Sequence, residues 1–192
     1  IIELGWAEER ENRVTTASQR LAGDLHSVLH RADRLAEAAV TSSATDRADA
    51  LEALGDLVRA SGPEMCVVVF NAQGGPWAWA GRHRLAPGSE GDSIASRASG
   101  YYVVLEARRH SADRRTAVAS VLIWAHPAVP DRSRSLAEIF RHRTDVALAV
   151  YPPGQAPDSP DVFDYEEPTS SGPRVLFSVQ PVTPEQGSAK ES

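Results

Sequence analysis

The chain has one cysteine and one methionine in 192 residues. A single thiol closes no intrachain disulfide and builds no cysteine-based zinc site, so Cys66, inside the apolar run "MCVVVF", reads as a buried small hydrophobe. Lysine is nearly missing, Lys190 being the only one. The formal charge is −6 and the arginines are scattered, which excludes the basic stripe of a nucleic-acid binder. No stretch reaches the roughly 18 consecutive apolar residues of a spanning helix. There is no Gly-x-Ser-x-Gly elbow, no His-Glu-x-x-His pair and no Gly-Lys-Ser/Thr phosphate cradle. The expectation is therefore no enzyme, no metal and no cofactor.

Proline is also absent before Pro63, and that stretch reads as helix. Val14, Leu21, Leu25, Val28, Ala32, Leu35 and Ala39 recur at spacings of three, four and seven, the seam of a heptad pattern over residues 1 to about 40. A helix of about 38 residues runs to about 57 Å, more than a small domain is wide. The seam also takes in Glu11 and Ser18, so it predicts a weak parallel pair over residues 4–39 in a homodimer. The opening "IIELGWAEER" reads as mid-helix, which gives the expectation of a fragment of a longer chain. His26 and His30 lie one turn apart outside the seam and read as solvated. A second helix follows in "TSSATDRADALEALGDLVRASGP", capped by Ser43 or Thr45 and stopped by Gly62-Pro63. Residues 1–62 thus read as a helical part.

The period changes after Pro63. "MCVVVF" has the continuous β-branched character of a strand covered on both faces. "NAQGG" supplies a turn and "PWAWAGRH" alternates as the partner strand of a hairpin. Residues 84–100 read as a loop. "YYVVLEARR" and "TAVASVLIWA" form two more strands, a short helix spans about 134–143 with Ser133 or Ser135 as cap, and "DVALAVYP" and "RVLFSVQPV" close the set. The acid-rich "PGQAPDSPDVFDYEEPTSSGP" between them reads as a flexible excursion without the spacing of a calcium loop. Residues 63–183 thus form a sheet part, and 184–192 a disordered tail. Strands joined by short turns favour antiparallel pairing, so the fold class is α+β: the two helices packed on one antiparallel sheet of five or six strands.

Two of the four tryptophans fall one residue apart, just after the turn. On a strand Trp77 and Trp79 share a face, while Ala78 and Ala80 give the opposite face the small residues that let a helix approach closely. Arg82 follows, able to hold a carboxylate or phosphate in two-pronged fashion, or to pair with an acid such as Glu106. Tyr101, Tyr102 and Tyr151 supply further aromatic walls. Candidate ligand contacts are therefore Trp77, Trp79, Arg82, Tyr101, Tyr102 and Tyr151.

The strand followed by "FNAQGGPWAWAGR" resembles the central hairpin of the extracytoplasmic PAS-like or Cache-type sensor domains of bacterial membrane histidine kinases. There an apolar strand ends in an Asp/Asn-x-x-Gly turn and the next often carries Ala-Trp-x-Gly. The long first helix, the second helix and the later strands agree with that pattern over about residues 1–182. The resemblance implies a PAS-like sheet on the periplasmic side of an inner-membrane protein of a two-component system. It further implies membrane attachment through flanking segments, a small-molecule ligand, and signal transfer by the long helix. The competing reading is a ligand-free dimerisation or protein-interaction module.

Overall fold

A computed structural model describes the backbone of residues 2–42 and 45–182, with side chains from Glu11 onward. The expected tail at 184–192 and Ser43 as a helix cap lie outside the described residues. The fold is α+β, with a long first helix, two further helices and eight strands in two antiparallel sheets among the described residues. Internal contacts gather the chain into two units, His26–Ser135 and Ile1–Leu25 with Leu136–Ser192. A helix stripe cannot bury itself and must share a core with the sheet it covers.

The first helix, α1, is continuous over Ile2–Thr41. Its seam is buried from Ala17 through Leu21, Leu25, Val28, Ala32, Leu35 and Ala39 to Val40. The chain itself covers that stripe from Ala17 onward, and Val14 is half-buried. His26 and His30 are exposed, as their position off the seam predicts. No helix among the described residues is long and apolar enough to cross a membrane.

Helix α2 spans Arg47–Ser61. Its cap is Asp46 rather than Ser43 or Thr45. The Asp46 carboxylate accepts from the amides of Ala48 at 3.0 Å and Asp49 at 3.4 Å, meeting donors that the first turn cannot pair internally.

The larger unit is built on five strands, β1 (Met65–Phe70), β2 (Pro76–Ala80), β3 (Ile94–Ala98), β4 (Tyr102–His110) and β5 (Thr116–Ala125). They lie in the order β2-β1-β5-β4-β3 with every neighbour antiparallel. Each residue of β1 is buried, which is why its apolar run does not alternate. The β1–β2 turn is closed by Asn71, whose Oδ1 accepts from the amides of Gln73 and Gly75 at 3.0 and 2.9 Å. Helix α2 lies against β2 and β1, and Ala78 is fully buried. Part of the stretch expected as loop, 84–100, forms β3, because Ile94–Ala98 finds a complete ladder on the edge of β4. Side-chain ties join this sheet to the helical part of its own unit. Arg109 on β4 donates to both oxygens of Asp33 on α1 at 2.8 and 2.6 Å, and Arg115 reaches the carbonyl of Ser42.

The smaller unit contains α3 (Leu136–Thr144), β6 (Ala147–Tyr151), β7 (Phe163–Thr169) and β8 (Gly172–Val182), with strand order β6-β8-β7. Ser135 stands just before α3, and its hydroxyl donates to the carbonyl of Arg132 at 2.8 Å. The acid-rich excursion supplies β7, a strand that its composition conceals. Burial alternates along it, Tyr165 stacks at 5.2 Å on Phe177 of β8, and the outward-facing Asp164 accepts from Ser178.

Candidate functional site

Cross-strand partners in an antiparallel sheet share a face. Ala95, Glu106, Ser120 and Cys66 stand opposite one another on β3, β4, β5 and β1, so they form one row across the larger sheet. Gly81 closes the row: a Cβ there would stand 2.7 Å from that of Cys66. Around Glu106 the row thus consists of small side chains. The next row on one side holds Arg108, Val118 and Val68, and on the other Arg97, Val104 and Leu122.

Glu106 is 1% exposed, Arg108 4% and Ser120 4%. The carboxylate stands 3.6 Å from Arg97 Nη1 and 3.8 Å from Arg108 Nη2, which makes ion pairs but not hydrogen bonds. Glu106 Oε1, Arg108 Nε and Ser120 Oγ are buried without a hydrogen bond of full geometry, with Arg97 beside the first and the Cys66 thiol, a weak partner, beside the last. Burial raises the Glu106 pKa above its ordinary value, and the two arginines offset only part of that rise. Burial also pushes the Cys66 thiol up to about 12, so it is a poor nucleophile despite its place in the row. His83 lies just before the loop with both ring nitrogens buried, and burial lowers its pKa against the smaller, opposite effect of the Val67 backbone.

Backbone from residues 84–92 covers the flanks of this row. Arg108 donates to the carbonyls of Gly88, at 3.1 Å, and Asp92, while Arg97 donates to that of Ala86. Gly91 makes room for the guanidinium. Its φ is +132°, and a Cβ would stand 2.9 Å from Arg108 Nη1. The loop is pinned at its start by a buried two-pronged pair, Arg84 to Glu64 at 3.0 Å, with Arg84 also 5.6 Å above the ring of Tyr102. The outer side of the loop, Ser89–Gly91, walls a groove of about 680 Å³ together with Asn71, Gly74, His110 and Arg114.

The six residues singled out from the sequence are distributed over several places. Trp77 is half-buried on β2, and Trp79 is 45% exposed with the guanidinium of Arg47 5.4 Å above its ring. Arg82 pairs with Asp131, not with Glu106, and lines a groove of about 400 Å³ with Arg59 and Arg134. Tyr101 is 61% exposed and meets His126 edge-on at 6.2 Å. Tyr102 packs beside Val104, Leu122 and Ala125. Tyr151 lies on β6 in the smaller unit, where its hydroxyl donates to Gln180 at 3.2 Å.

Of these, Trp79 stands opposite Val68 in the row on one side of the buried polar row, and Tyr102 packs against Val104 and Leu122 on the other. Glu106, Arg108, Arg97 and Ser120 were missed. The signal was present in "VVLEARR", where Glu106 and Arg108 fall two apart in an otherwise apolar strand and so must share one face. No protein-family model matches this sequence, and no curated protein matches it.

Proposed function

We propose that this chain is the signal-sensing domain of a bacterial two-component sensor histidine kinase. It sits on the extracytoplasmic, periplasmic side and passes ligand or partner binding to a transmembrane helix that flanks it. What supports the reading is the antiparallel sheet with its Asn-turn hairpin, the pattern on which the resemblance rests. The observation that carries it is local to β4. Arg108 grips the loop over one face of the sheet, and the next residue, Arg109, grips Asp33 of α1 from the other. Whatever shifts the loop-covered face bears on the strand that holds the long helix. A sensor needs such a link between its input site and a displaceable element.

The domain itself is read as binding rather than catalysing, and the kinase chemistry belongs to the parent chain. Homodimer formation is read through α1, where the seam from Ala17 to Val40 is already covered within the chain. In the full-length protein reconstituted in membranes, Asp33→Asn should change the rate of autophosphorylation or its response to stimulus. Output identical to wild type under every stimulus would remove the reading.

A second reading, a protein-interaction module, is favoured by one patch. Leu51 and Arg47 lie one turn apart on α2, Arg47 covers Trp79, and both Leu51 and Trp79 are exposed. Loss of partner capture in Trp79→Ala, with signalling otherwise intact, would favour that reading.

A further inference from the structure

We propose that the sheet face beneath residues 84–92 is a binding site for a small neutral molecule that carries a hydrogen-bond donor beside an acceptor, such as a primary amide. Buried polar atoms in folded proteins are almost always paired, and leaving one unpaired is costly. Here three atoms that make no hydrogen bond of full geometry belong to side chains more than nine-tenths buried, on one face of two adjacent strands. Ser120 has only the weak Cys66 thiol beside it, and Glu106 Oε1 a guanidinium at 3.6 Å. Their chemistry is complementary to such a group: Glu106 Oε1 accepts, Arg108 Nε donates, and Ser120 Oγ does either.

The charges select against ions. Glu106 already stands between two guanidinium groups at 3.6 and 3.8 Å. With Glu106 ionised the cluster carries one net positive charge, which repels an ammonium, while a carboxylate would face Glu106 itself. The neighbouring rows are apolar beyond their arginines. Val118 and Val68 pack with Phe70 on one side, and Val104 and Leu122 pack with Leu85 and Tyr102 on the other. A polar centre with short apolar ends fits that face.

The cover is suited to lifting. Beyond the Arg84–Glu64 pair and Leu85 that anchor its start, it is held over the row by arginine bonds to the carbonyls of Ala86, Gly88 and Asp92, none of which belongs to the ladders of the sheet. The loop can therefore release without unpairing a strand. Ligand access and loop release become one event, which gives the site its regulation.

The site rests on the sensory reading only for its consequence, so it is tested on this 192-residue chain without kinase output. Acetamide, acetate and methylammonium are titrated while the backbone amide resonances of Glu106 and Ser120 are followed. Acetamide should shift both saturably, and the two ions should not. Ser120→Ala should weaken acetamide by about tenfold, the value of one hydrogen bond. Glu106→Gln keeps the shape, removes the repelling carboxylate, and should admit acetate. The proposal is overturned if acetamide leaves these resonances unmoved. It is equally overturned if acetate binds wild type as well as acetamide does, or if neither variant alters binding. Saturable acetamide binding with unchanged output in the full-length protein would keep this site and remove the signalling role.

Discussion

Arg108 and Arg109 are consecutive on β4 and hold opposite layers of the larger unit. The first donates to loop carbonyls at Gly88 and Asp92, and the second to Asp33 of α1. Strand alternation alone sets this division, because neighbouring side chains leave a strand in opposite directions. A displacement of β4 by either partner is therefore felt by the other.

The Arg109–Asp33 pair is two-pronged but partly exposed, at 44% and 27% of the side chains. A double-mutant cycle with Arg109→Ala and Asp33→Ala should return a coupling of about 0.5–1 kcal/mol in urea unfolding, within the range of surface ion pairs. Because exposed pairs are screened, the coupling should shrink in high salt. A salt-independent value would mean that the pair is held by packing instead.

Glu106 gives a pH dependence of definite sign. Its folded pKa is raised above the ordinary 4.5, mainly by burial, so the native state keeps this proton to higher pH than the unfolded chain does. Its contribution to stability is complete below 4.5 and is lost as pH rises through the folded value. Glu106→Gln carries no such loss. Urea midpoints measured from pH 4.5 upward should shift steadily in favour of the variant relative to wild type. Parallel curves would show that the carboxyl ionises in the native state as freely as in the unfolded one.

Three glycines should respond differently to alanine. Gly81 has φ +83°, and a Cβ would meet the Met65 carbonyl at 2.6 Å, so Gly81→Ala should cost at least about 2 kcal/mol. Gly91→Ala presses on the Arg108 guanidinium and should loosen the loop before it unfolds the sheet. Gly100 has open space around its missing Cβ, and its substitution should change thermal stability little. Equal losses at all three positions would contradict this ranking.

Cys66 reports on the covered face. With its pKa pushed to about 12, the thiol should react with disulfide reagents at pH 8 roughly a thousandfold more slowly than a free cysteine. Gly91→Ala should accelerate labelling if the loop limits access, while far-ultraviolet dichroism stays native. Rapid labelling of native wild type would show that the thiol is not shielded.

The hairpin was legible because "MCVVVF", "NAQGG" and "PWAWA" each carry a local cause: branched apolar side chains, an Asn-closed turn and strict alternation. Helix α1 was legible through its stripe. Strand β7 was not, because its acids and Pro168 look like loop until β8 offers a ladder. The buried row was missed for a related reason. Side-chain type points to the aromatics and Arg82, whereas the unusual residues are common ones in an unusual environment.

By itself the sequence determined the helices, the first hairpin, the β4 and β5 strands and the α+β class, since periodicity and turn chemistry act within a few residues along the chain. Tertiary structure alone decided that one acid on β4 would lie between two arginines opposite a serine on β5. Ser120 and Glu106 are fourteen positions apart, and only the antiparallel register of β4 and β5 makes them neighbours. Burial, which turns an ordinary glutamate into an unsatisfied one, is a property of the packed layers and not of the residue.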